Sequence, residues 1–146
     1  MNIKPIHPNF RMPKRASNGA GGYDLFMPER GVVLDAWDRP ALIPLGFSAE
    51  VPEGHVALLL PRSSYGIKRG LFLGNTCGVI DADYRGEWLA SIRLREDEEP
   101  LEWFPGDRLL QMLIVPVATP ELQEVDQLSC TVRGVGGFGS TGIGGA

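Results

Sequence analysis

The chain has 146 residues, 43% of them hydrophobic and 22% charged, with a net charge of −4. That balance describes one globular domain, large enough to bury a core without metal or disulfide staples. It excludes nucleic-acid or membrane binding driven by net charge. The two cysteines, Cys77 and Cys130, are far apart and form no metal-ligand pattern. His7 and His55 are isolated and read as structural or surface residues. There is no apolar signal stretch at the N-terminus, and no apolar run long enough to span a membrane. A soluble, intracellular, cytoplasmic protein is therefore expected.

The first fifteen residues hold Lys4, Arg11, Lys14 and Arg15 without an acid. Next, Ala20-Gly21-Gly22-Tyr23-Asp24-Leu25 sets a carboxylate just before an apolar position. Asp24 reads either as a turn residue or as the holder of a metal-bound water. Short apolar stretches recur at 31–34, 41–51, 55–61, 71–75, 78–81, 87–95 and 108–117. Pro40, Pro52-Glu53-Gly54, Gly66, Gly70 and Pro105-Gly106 separate them. Spacing of this kind predicts an all-β sandwich, jelly roll or barrel. No long segment keeps a helical period, so helix content is predicted to be low.

Stretch 55–61 ends in Pro61-Arg62-Ser63-Ser64-Tyr65-Gly66. A cation and two hydroxyls at a strand end form a phosphate cradle or a turn with capping serines. Stretch 78–81 delivers Asp81, Asp83, Tyr84 and Arg85 between Gly78 and Gly86. If the strand persists, Asp81 and Asp83 share a face. A carboxylate at the end of an apolar strand is costly unless it is solvated or used. Glu96–Glu99 is an acidic run suited to a solvated loop. Leu109–Val115 is apolar except for Gln111, which predicts a strand buried on both faces or lying against a partner subunit.

The tail differs, with glycine at seven of the thirteen positions 134–146. Gly134-Val135-Gly136-Gly137-Phe138-Gly139 matches GxGxxG formally, but there is no room for the βαβ unit that gives the pattern meaning. What remains is local chemistry. Arg133, the glycine N–H groups, Ser140 and Thr141 can meet anionic oxygens, and Phe138 offers a stacking face.

Five segments in order resemble the motifs of the trimeric dUTPases, the deoxyuridine 5'-triphosphate nucleotidohydrolases. They are Ala20–Leu25, Pro61–Gly66, Gly78–Gly86, Pro105-Gly106-Asp107-Arg108-Leu109-Leu110-Gln111, and Arg133–Gly142. The resemblance covers nearly the full chain. It departs at Gly21-Gly22, where Ala-Gly is commoner, and at Leu110, where Ala is common. It implies an all-β, distorted jelly-roll (β-clip-like) subunit in a homotrimer, with a β domain at 1–132. A flexible glycine-rich tail, 133–146, would close over a neighbouring subunit's active site.

The implied reaction is Mg²⁺-dependent hydrolysis of dUTP to dUMP and pyrophosphate, which limits uracil in DNA and supplies dUMP for dTMP synthesis. Asp81 would activate the water that attacks the α-phosphorus. Tyr84 would pack under the deoxyribose. Asn75, Gly78, Val79, Ile80 and Leu89 would frame the uracil. Arg62, Ser63, Ser64 and Gln111 would contact phosphates or place the water, and Asp24 would touch Mg²⁺ through water, the ion being held mainly by the phosphates. Arg133, Gly139, Ser140 and Thr141 would clamp the γ-phosphate, with Phe138 stacked on the base. Two other readings compete. One is a dCTP deaminase of the same fold superfamily, with Glu87 as the nearest acid. The other is a second, regulatory role with a protein partner.

Overall fold

The computed structural model describes residues 1–34, 40–96 and 98–137. Within them lie eleven strands and one helix. In chain order these are β1 (Ile3–Pro5), β2 (Tyr23–Leu25), β3 (Gly31–Val33), β4 (Ala41–Pro44), β5 (Phe47–Ala49) and β6 (His55–Pro61). Then come α1 (Ser63–Lys68), β7 (Leu71–Leu73), β8 (Gly78–Ile80), β9 (Leu89–Leu94), β10 (Leu101–Trp103) and β11 (Leu110–Pro116). All pairing is antiparallel: a four-stranded sheet β2-β11-β6-β8, a three-stranded sheet β4-β9-β7, and the pairs β1-β5 and β10-β3. No helix among the described residues is long and apolar enough to cross a membrane.

β6 and β11 form the backbone of the fold, in register from Leu110 opposite Pro61 to Pro116 opposite His55. Side chains alternate across a strand. Ala57, Leu59, Leu110 and Met112 therefore face the core and are buried. Val56, Leu58, Leu60, Leu113 and Val115 lie on the other face and stay partly exposed. The apolar 109–115 stretch thus covers one core face and leaves an aliphatic outer face. In β9 the same alternation buries Ala90, Ile92 and Leu94. Trp88 is fully buried, with its ring 5.0 Å from that of Phe47. It links β4 to β5: Leu45 N–H, just after β4, donates to its carbonyl at 2.9 Å, and its own N–H donates to Phe47 O at 2.9 Å.

The structure departs from the sequence expectations in three places. The 41–51 stretch is two strands in different sheets, parted at Gly46 with its left-handed φ of 77°. The 61–66 segment, read as a phosphate cradle or a turn at a strand end, continues into α1, whose six residues are too few to show a helical period. β1, β2 and β10 were not anticipated, since three residues hold too little alternation to detect.

Beyond β11 the chain leaves the body. Every residue from Pro116 to Val135 is exposed, and Leu122, Leu128 and Val132 are 95%, 87% and 111% exposed.

Gly46 has a left-handed φ, and a Cβ there would sit 2.9 Å from His7 Cβ. Gly46→Ala is expected to cost about 1–3 kcal/mol. Urea unfolding at fixed protein concentration checks this.

Candidate active site

At the Pro61 end of β6 three segments converge on one carboxylate. β2 places Asp24 opposite Gln111 of β11, and Gln111 in turn lies opposite Leu60 of β6. The Asp24 side chain is nearly buried, at 9% exposure. Its Oδ1 is ion-paired with Arg62 Nε at 2.8 Å, and its Oδ2 accepts a hydrogen bond from Arg108 Nη1 at 3.0 Å. Arg62 Nη1 also donates to Arg108 O at 3.1 Å, and Gln111 Nε2 donates to Pro61 O at 3.2 Å. Gly22 makes room here, since a Cβ on it would lie 2.7 Å from Gln111 Oε1. Ser63 and Ser64 are exposed on the first turn of α1, and their hydroxyls have no hydrogen bond among the described residues. Two guanidiniums on one carboxylate leave a net charge of about +1 and unused N–H donors, an arrangement that suits an anion.

This geometry bears on the metal. No cluster of three or more His, Cys, Asp or Glu among the described residues could hold an ion. Mg²⁺ needs oxygen ligands, and both Asp24 oxygens are already paired with guanidiniums. A Mg²⁺ ion fits this surface only if phosphate oxygens bring it.

A second cluster lies at the other end of β6. Val79, Ile80, Asp81, Tyr84 and Leu89 line a cavity of ≈ 190 Å³. Asp81 is exposed, follows β8 directly, and forms no ion pair among the described residues. Its carbonyl accepts the Tyr84 N–H at 3.2 Å, which closes a turn. Tyr84 O–H donates to Glu87 O at 3.1 Å. Its ring lies so close over Gly86 that a Cβ there would meet the Tyr84 oxygen at 2.3 Å. Asn75 is exposed in the β7–β8 connection, beside Thr76 (φ 67°). A β-branched residue with that φ is strained, so the connection is held rather than relaxed. Gly78 is buried against Leu59. The Glu87 carboxylate, which a deaminase would need near the base, accepts the Gly46 N–H at 3.1 Å.

The fold keeps these clusters apart. Gly78 lies opposite Leu59 and Ile80 opposite Ala57, so Asp81 falls level with Val56. Arg62 is six residues further along the same strand line, about 20 Å away at the rise of a β-strand. One chain therefore joins Asp24, Arg62, Arg108 and Gln111, and separately Val79, Ile80, Asp81, Tyr84 and Leu89. Arg133 belongs to neither cluster: its Nε donates to Gly136 O at 2.8 Å within the exposed arm. Phe138, Gly139, Ser140 and Thr141 lie outside the described residues. Arg108 was missed from the sequence. Its signal was present, a cation directly before the apolar Leu109–Val115 run.

The model of the family described as dUTPase matches residues 8–142. Over 143 residues the chain is 41% identical to the deoxyuridine 5'-triphosphate nucleotidohydrolase of Oryza sativa subsp. japonica, covering 98% of this chain and 81% of that one. Its fold resembles that of a Staphylococcus bacteriophage 80alpha dUTPase solved with dUPNHPP. The TM-score is 0.84 at 31% identity, over 97% of this chain and 98% of that one. It also resembles a point mutant of the dUTPase from phage phi11 of S. aureus, a structure concerned with the coordination of a structural Mg(II) ion. There the TM-score is 0.77 at 28% identity, over 88% of this chain and 98% of that one.

The Tyr84 hydroxyl closes the 84–87 turn from a partly exposed position. Tyr84→Phe is expected to cost about 0.5–1 kcal/mol while keeping the ring over Gly86. Thermal unfolding of the two proteins at equal concentration checks it.

Proposed function

The chain belongs to the dUTPase family and hydrolyses dUTP to dUMP and pyrophosphate, and we propose that it does so at sites assembled between the subunits of a homotrimer. The separation of the two clusters along β6 carries this reading. The phosphate-type donors and the exposed carboxylate both belong to one site, and about 20 Å of strand lies between them in a single chain. A neighbouring copy supplies the missing half. Two further features support assembly. The outer face of the β6–β11 pair is aliphatic and only partly covered. The arm from Pro116 to Val135 exposes Leu122, Leu128 and Val132. Burial of these apolar groups against a partner would remove them from water.

Asp81 acts as the general base. It is exposed and unpaired among the described residues, so its carboxylate is available to take a proton. It deprotonates a water whose oxygen bonds to the α-phosphorus. The bond from that phosphorus to the α,β-bridging oxygen breaks, and pyrophosphate leaves with the electron pair. Arg62, Ser63, Ser64 and Gln111 hold the phosphates in line, so positioning and charge stabilisation supply the catalysis. Mg²⁺, when bound on the phosphates, supplies further charge neutralisation.

The cavity beside Asp81 takes the nucleoside. Tyr84 packs against the deoxyribose and leaves no room for a 2′-hydroxyl. Asn75 and the backbone from Gly78 to Ile80, with Leu89, frame the uracil. A fixed pattern of buried donors and acceptors rejects bases that leave it unpaired. Arg133, Phe138, Gly139, Ser140 and Thr141 close over a neighbour's site. Ordering that glycine-rich segment has an entropic cost which nucleotide contacts offset. The tie of Glu87 to Gly46 favours hydrolysis over deamination.

Asp81→Asn is expected to lower turnover by about 10²–10⁴-fold while dUTP binding persists; near-normal pyrophosphate release would refute the base assignment. Mixing that variant with Arg62→Ala tests assembly between subunits. Random exchange should make about a quarter of sites intact, because each site takes the two residues from different chains. Mixed trimers with no recovered activity would place both clusters of a site in one chain.

A further inference from the structure

We propose that Asp24 is a positioning residue that fixes Arg62 and Arg108 as a paired guanidinium face for the triphosphate, with Arg108 an added phosphate contact. This rests on the dUTP site described above. It gives Asp24 a role through the arginines in place of one through the metal's waters.

Four observations carry it. First, Asp24 is held rigidly. Its backbone pairs with Gln111 on one side and Lys14 on the other, where its N–H donates to Lys14 O at 2.9 Å. Second, its two oxygens are divided between the two arginines, at 2.8 and 3.0 Å. Third, the carboxylate is 9% exposed, while the Arg62 and Arg108 side chains are 26% and 44% exposed. The anion is therefore the buried anchor, and the cations reach outward from it. Fourth, neither guanidinium is saturated. Arg108 gives Asp24 a single Nη1 bond, and Arg62 uses Nε and Nη1, so donors of both remain for phosphate oxygens.

The energetics point the same way. A nearly buried carboxylate is costly to desolvate, and its ion pairs offset that cost without adding much net stability. The arrangement does restrain two long, rotamer-rich side chains before the ligand arrives, which lowers the ordering cost of binding. A divalent cation beside Asp24 would meet two guanidiniums already in contact with the carboxylate, and like charges repel. Arg108 leads directly into Leu109 and β11. The pair thus ties the second and fourth sequence motifs to the first.

The test separates positioning from charge and from metal. Affinity for a non-hydrolysable dUTP analogue is measured by calorimetry in EDTA, for wild type, Asp24→Asn and Arg108→Ala. By charge alone, Asp24→Asn raises the local charge and should tighten binding. By positioning, it should weaken metal-free binding about tenfold, and Arg108→Ala should do the same. Unchanged or tighter binding in either variant overturns the proposal, as does a wild type that fails to bind without metal. Turnover of dUTP against Mg²⁺ concentration is the second readout. The half-activating Mg²⁺ concentration should stay the same in Asp24→Asn while kcat stays low. Restoration of wild-type kcat at high Mg²⁺ would instead assign Asp24 to the metal. If Asp24→Asn does not fold, Arg108→Lys carries the test: it keeps the charge, loses the planar fork, and should show the same loss. Hydrolysis of dUTP by wild type with Mg²⁺ reports separately on the activity itself.

Discussion

The antiparallel pairing of β6 with β8 on one edge and β11 on the other is the constraint from which the rest follows. A strand is stiff and its register is fixed by which side chains must be buried. Ala57 and Leu59 face the core, and a slip by one residue would turn them out. With the register fixed, the end of β8 lies near the start of β6, and the end of β2 and the start of β11 lie near its finish. The Asp81 cavity and the arginine cluster then occupy opposite ends of one strand. In the proposed trimer, each chain contributes these two clusters to different sites.

The same strand pair bears on the proposed assembly. Its inner face fills the core, and its outer face carries Val56, Leu58, Leu60, Leu113 and Val115, each partly exposed. Burying such a face against other copies removes apolar surface from water. In the proposed trimer, function and oligomerisation would be coupled through this one element.

Within each cluster the residues are held by neighbours rather than by their own sequence context. Tyr84 is positioned by its bond to Glu87 O and by the missing Cβ of Gly86. The Asp24 carboxylate is positioned by strand pairing on both edges. The β7–β8 connection is held at a strained Thr76. Each device restricts a side chain or loop before substrate arrives.

Much of this was legible in the order of residues. The recurring short apolar stretches and their glycine and proline separators determined the all-β class, since period and turn chemistry are local properties. The strand 55–61 emerged with its limits unchanged, because both ends carry breakers. The five motifs determined the family and its dUTP chemistry. Other features depended on contacts between distant segments. Arg108 and Asp24 are 84 positions apart, and no spacing rule joins them; only the β2–β11 register does. The split of 41–51 required Gly46 to turn against His7 and Pro28. The distance between Asp81 and Arg62 is invisible in sequence, where they are nineteen positions apart. Sequence determined which groups are present, because chemistry resides in residue type. Tertiary structure decided which of them meet, because strand pairing sets distance independently of position along the chain.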